Sequence, residues 1–203
     1  MQLSSFFSFA AFAACVTSVF SVPVEHTLET TSLVERTGFA APAEACYTEV
    51  KKKCDDITAK IGADATIDVD LTAKIIADLD IIVNLIVTLG ADLTAKAKPG
   101  GLAVADVKAC ATAVIAIINL CASVLLKIHA AVAAKVSLSI FAAVLLKLGA
   151  GVKVLIDLLI GVCLGKVGGL LAVDVLLLAD VVVLLTGCLG VFVDACLKLG
   201  VAL

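Results

Sequence analysis

From Gly100 to Leu203 the chain contains no proline, and single charged residues interrupt long aliphatic runs. Between Leu170 and Phe192, "LLAVDVLLLADVVVLLTGCLGVF", the only charges are Asp174 and Asp180. A segment of this kind spans a membrane, fills the inside of a protein, or forms a surface that sticks to something. Leucine and alanine favour helix, and the runs are too long for a sheet. Val181–Val183 has strand propensity, but three β-branched residues do not outweigh their surroundings. The expected fold is all-α: a bundle of about five helices stapled by disulfides, with a very hydrophobic C-terminal half.

Insertion energetics alone do not decide between the three fates. A central Asp costs roughly 2.5–3.5 kcal/mol, against about −0.3 to −0.6 kcal/mol for each Leu, Ile or Val. The aliphatics of Leu170–Phe192 offset one aspartate or two. Ala109–Leu126 is the best candidate span, uncharged between Lys108 and Lys127, but it holds Asn119 and only just reaches the required length. Elsewhere Lys135, Lys147, Lys153, Asp157, Lys166, Asp194 and Lys198 recur as thin polar edges, the pattern of a bundle rather than of loops between spans. Asp194 and Lys198 also argue against a glycolipid-anchor tail. Gly161, Gly165 and Gly169 form GxxxGxxxG, which invites close packing in a span. Lys166 and the doublet Gly168-Gly169 favour a turn there instead.

Composition narrows the partners. Hydrophobic residues make up 62% of the chain and charged ones 16%, against roughly 45–50% and 25% in ordinary soluble domains. Polar cover is what the chain lacks. Aromatics are only 4% and Trp is absent, so bases find no stacking platform.

The first residues read as an address. "MQLSSFFSFAAFAACVTSVFS", residues 1–21, has an apolar stretch and a small-residue ending, with Val19 and Ser21 placed for cleavage before Val22. The alternative is a first transmembrane helix, disfavoured by the polar "VEHTLETTSLVERTG" that follows. Residues 22–36 read as a propeptide, with Arg36 as the processing site and Thr37 as the new first residue. Removing residues 1–36 takes away one of 15 basic and three of 18 acidic groups, leaving a formal charge of −1. Near neutrality attracts neither nucleic acid nor anionic lipid and does little to keep copies apart. Secretion, to the extracellular space or cell wall, is the expected localisation; membrane association is the alternative.

Cys15 leaves with the signal peptide. Cys46, Cys54, Cys110, Cys121, Cys163, Cys188 and Cys196 remain as disulfide candidates for an oxidising destination, and an odd number leaves one unpaired within a chain. Cys46 and Cys54 are eight apart, as are Cys188 and Cys196; Cys110 and Cys121 are eleven apart. These spacings approximate two and three helical turns, so each pair shares a face. Two helices with cysteines eight apart would form two rungs about 12 Å apart, which favours pairing between the first and last helices. The alternative is buried reduced thiols acting as small apolar residues. Without CxxC, and with His129 the only histidine after processing, zinc is not expected.

Adjacent cysteine doublets, the mark of hydrophobins, are absent. A signal peptide, an "LVER" junction, a more polar front half and a very hydrophobic back half give a layout that resembles another group of small secreted proteins of filamentous fungi. The resemblance implies residence in the cell wall and a part in hyphal adhesion. It assigns no site residues.

The front half, 37–98, joins the hydrophobic segment 99–203 in one expected domain. Pro42 suits the first turn of a helix running to about Ile61 and ended by Gly62, with Glu44 near its positive end. Glu49 and Lys53 are spaced to pair, and "KKKCDD", Lys51 to Asp56, reads as a solvated face. A second helix, from about Asp68 to Leu89, carries Leu71, Ile75, Leu79, Ile82 and Ile86 before Gly90. "KAKPGG", Lys96 to Gly101, is the clearest break. Beyond it, helices are expected at about Leu102–Ala131, Val136–Gly161 and Gly169–Leu199, with breaks allowed near Gly149, Gly151 and Gly187. "AD" recurs at Asp64, Asp78, Asp92 and Asp106, and "TAK" at Lys60, Lys74 and Lys96. Fourteen-residue steps would put the aspartates on one coiled-coil-like face, but Pro99 breaks the register and composition is the simpler account.

No enzyme is expected. Nucleophilic catalysis needs a base beside a Ser or Cys; His26 falls in the propeptide and His129 stands in "LLKIHAAV" without a motif. No phosphate loop, dinucleotide fingerprint, HExxH or nucleophile elbow occurs, and no cofactor is implied. The leading expectation is a secreted structural protein that self-associates or coats hydrophobic surfaces in the wall or matrix. The alternatives are an extracellular carrier of lipid or another apolar ligand, and a membrane-inserting or integral membrane protein.

Overall fold

The structure is a computed structural model and describes residues 38–63, 69–97, 102–132, 138–166 and 172–202. All lie in the unit Thr37–Leu203. Its elements are α1 (Ala41–Ala63), α2 (Val69–Lys96), α3 (Val104–Val132), a 3-10 turn (Leu138–Phe141), α4 (Ala142–Cys163), α5 (Ala172–Leu177) and α6 (Ala179–Lys198). The described residues are thus all-helical, with five long helices and the short α5.

Each helix forms where its apolar periodicity is longest. In α1, Ala43, Cys46, Val50, Cys54 and Ile57 recur every three or four residues and are buried, while Lys51 and Asp55 on the other side are exposed. Pro42 sits in the first turn, where its missing N–H costs nothing. The wider stripe of α3 buries Val107, Cys110, Val114, Ile117, Ile118, Cys121, Val124, Leu125 and Ile128. That width serves several neighbours at once.

The helices close a cycle. α1 packs against α2 and α3, α2 against α4, α4 against α6, and α6 returns to α3; α3 and α4 touch more lightly, and α5 rests on α6. Side-chain contacts give directions. Cys46 meets the Leu85 carbonyl and Lys53 meets Asp78, so α1 and α2 are antiparallel. Asp106 lies against Gly38, just ahead of α1, and Lys127 reaches Thr58, so α1 and α3 run parallel. Gly90 faces Leu155, Ile86 faces Gly151 and Asp80 meets Lys147, so α2 and α4 also run parallel. Each parallel pair is bridged by a whole intervening helix. One buried cluster runs from Phe39 to Val201 and draws on both halves of the chain.

Several boundaries differ from the sequence expectation. α2 does not stop at Gly90 but continues to Lys96, with Gly90 buried against Leu155 and Val154 of α4. Gly149 and Gly151 lie inside α4 and Gly187 inside α6. The break in the last helix falls at Leu178 instead, where φ is −105° and ψ 1°. There Leu178 is fully buried, and its carbonyl accepts from the N–H groups of Val181 and Val182. Val181–Val183 is helical.

The chain turns at 164–166, ending at the Lys166 of the expected turn; Gly168-Gly169 lie outside the described residues. Gly165 takes φ 68°, the Lys166 N–H donates to the Gly161 carbonyl and the Gly165 N–H to that of Val162. Gly200, at φ 79°, repeats the arrangement, with Val201 donating to Cys196 and Gly200 to Leu197. Both are Schellman caps, and only glycine takes that backbone without strain.

Candidate functional site

Three features carry chemistry: a group of buried thiols, a cleft between α1 and α2, and the outer face of α5 and α6.

All seven cysteines after Arg36 are buried, and all are thiols. Cys54 of α1 and Cys121 of α3 lie beside each other where the two helices pack. The Cys121 thiol beside it lowers the Cys54 pKa, helped by nearby Lys127 and opposed by burial and Asp55. Cys121 is pushed well up, first by the same neighbour and then by desolvation. Cys46 and Cys196 lie close enough to Cys121 to raise it further. Cys46 itself points its Sγ at the Leu85 carbonyl, 3.7 Å away, and burial pushes its pKa to about 11. Burial does the same to Cys196, also to about 11. Cys110 is pushed to about 12, mainly by burial, with smaller contributions from Cys163 and Glu44. Burial raises Cys163 as well. Cys188 bonds the Leu185 carbonyl of its own helix at 3.1 Å, and burial lifts it to about 11.

The first and last helices, where the rungs were expected, both pack on α3. An eight-residue spacing fixes a face, not the helix that face meets. In this fold α3 stands between α1 and α6, so Cys54 meets Cys121. Ser21 and Arg36 lie outside the described residues.

The cleft holds about 380 Å³ and is lined by Pro42, Ala45, Cys46 and Glu49 of α1 and by Ile81, Asn84, Leu85, Thr88, Leu89 and Asp92 of α2. Its lining is mostly apolar and it is broadly open to solvent.

The outer face is the apolar feature that stands out. α6 buries one narrow stripe, Val181, Leu185, Cys188, Phe192, Ala195 and Cys196, on successive turns of one helix face. Off that stripe, Val183 is 70% exposed, and Leu184, Val191 and Leu197 are exposed too. Leu176, 78% exposed, and Leu177 of α5 extend the surface. Asp180 and Thr186 share it, and the Asp194–Lys198 pair, 3.0 Å apart, closes its far end. By contrast α3, which holds Ala109–Leu126, uses its hydropathy inside the bundle: 56% of its most apolar window is buried, against 33% for α6.

Sequence reasoning missed one polar centre. Asp78 sits among the apolar residues of α2 and is buried, with Lys53 of α1 at 3.4 Å and Lys60 of α1 in direct contact. Its position, three after Ile75 on the buried stripe, was the available signal. Lys53 thus turns to Asp78 and Asp56, while Lys51 pairs with Asp55 and Lys153 with Asp157, all on solvated faces. The "AD" repeat has no common role: Asp78 is buried, Asp92 exposed and Asp106 half-buried, while Asp64 lies outside the described residues. No protein-family model, curated protein or solved structure matches the chain.

Proposed function

We propose that this is a secreted structural protein that coats hydrophobic surfaces or joins copies of itself in a cell wall or extracellular matrix, without catalytic activity. The observation that carries the reading is α5 and α6, where Leu176, Leu177, Val183, Leu184 and Val191 are all exposed with few charges among them. Large exposed apolar surface marks association with protein, lipid or another surface. Burying such a side chain fully contributes about 1.5–3 kcal/mol; several acting together hold a surface without any specific lock. A mature charge near zero adds no repulsion between copies. The apolar stretch and small-residue ending of residues 1–21 support export.

The carrier reading draws on the cleft between α1 and α2, whose volume falls at the small end of ligand sites, about 300–1,000 Å³. It is the weaker reading, because the surplus aliphatics point outward from α5 and α6 instead of lining an enclosed cavity.

Two experiments test the proposal. Fractionating the producing cells should place the protein in culture fluid and wall; retention in membranes through an alkaline carbonate wash would contradict it. Purified protein should adsorb to alkane droplets or wax, and Val183→Asp with Leu184→Asp should weaken adsorption at least tenfold while the helical circular dichroism is kept. A wild-type protein that leaves such surfaces bare, or co-purifies as a lipid-loaded monomer, would overturn the reading.

A further inference from the structure

The seven thiols could pair in many ways, and contact across α1 and α3 selects one. Gly38 lies against Asp106, an offset of 68 positions, and Thr58 accepts from Lys127, an offset of 69. Between them Cys54 lies beside Cys121, an offset of 67, each at most 2% exposed. Three contacts at nearly constant offset mean two parallel helices in register, with Cys54 and Cys121 adjacent on the buried faces where the helices pack. Of the other two cysteines near Cys121, Cys46 and Cys196, Cys46 points its Sγ at the Leu85 carbonyl of α2.

We propose that Cys54 and Cys121 form a disulfide that cross-links α1 to α3 inside the core of the mature protein. The inference rests on the export reading for its oxidising compartment; the pairing itself follows from the packing. The oxidant is a disulfide donor, either oxidised glutathione or a thiol oxidoreductase of the secretory pathway. Cys54, as thiolate, attacks one donor sulfur, forms a mixed disulfide and releases a donor thiolate. Cys121 then loses its proton, attacks the Cys54 sulfur and expels the second donor thiolate. One S–S bond forms in the protein and one is lost in the donor. The donor gains two electrons and takes up the two protons the protein thiols gave up.

Both sulfurs are sealed in the folded core, so the exchange takes place while α1 and α3 are still docking. Afterwards the bond is shielded from reductants.

The test is to refold the reduced chain with reduced and oxidised glutathione, then digest it with a protease at acidic pH, where exchange is quenched, and map the linked peptides by mass spectrometry. The expected result is a Cys54–Cys121 peptide as the dominant link, resistant to dithiothreitol under native conditions and cleaved once the chain is denatured. A dominant link between other cysteines, or none, overturns the pairing. Cys54→Ala and Cys121→Ala should each abolish the reductant-dependent shift in melting temperature, and Cys188→Ala should preserve it. The same map on protein from its natural source separates the two ideas. Reduced thiols there, after the correct link in vitro, count against export; a different link in vitro counts against the pairing.

Discussion

At the scale of single residues, glycines at packed positions show how small margins decide stability. Gly151 of α4 lies where an added Cβ would come 3.0 Å from Cγ2 of Ile86, a fully buried, β-branched side chain that cannot swing aside. Overpacking costs about 1–3 kcal/mol and helix propensity returns about 1 kcal/mol. Gly151→Ala is therefore expected to lower stability by roughly 1 kcal/mol, read as a lower urea midpoint. Gly190 of α6 has nothing within 4 Å of an added Cβ, so Gly190→Ala should raise stability by about 0.5–1 kcal/mol. The buried thiols set a pH limit. Cys46, Cys188 and Cys196 are raised from 9.0 to about 11 and Cys110 to about 12. A folded pKa above the unfolded one means that their contribution is complete below pH 9 and is lost as pH rises through the folded values. The reduced protein should lose stability between about pH 9 and 12, and Cys110→Ala should flatten that loss in pH-dependent denaturant titrations.

At the scale of helices, most of the architecture was legible because its signals are local. Pro42 opens α1, "KAKPGG" separates α2 from α3, and Gly165 caps α4. What was not legible depended on neighbours. Gly90 reads as a stop signal until Leu155 packs against it, and the break at Leu178 comes from burying that leucine, which no breaker residue marks. The neighbours of the cysteines were hidden for the same reason: spacing places Cys54 on a face, but only the cycle of helices puts Cys121 beside it. Asp78 belongs here too, because it ties α2 to α1 through Lys53 and Lys60. Asp78→Ala removes the acceptor and leaves two partly buried lysines facing each other, so it should destabilise by about 1–3 kcal/mol. Lys53→Met together with Asp78→Met should recover part of that loss in the same unfolding measurement, since replacing both partners by apolar groups spares the desolvation penalty.

For the whole molecule the governing quantity is apolar surface in excess of what one core can hide. α3 buries most of its hydropathy between α1 and α6, and α4 buries a broad stripe while leaving Leu146 and Val154 exposed. α6 does not, and with α5 it leaves valines and leucines facing out. Composition revealed the surplus; only the fold locates it. Sedimentation velocity on the folded, oxidised protein across a hundredfold range of concentration tests this claim most directly. Wild type is expected to shift steadily to larger species, while the Val183→Asp, Leu184→Asp variant stays a monomer of unchanged helicity. Two proteins that both sediment as the same monomer at every concentration would contradict the account.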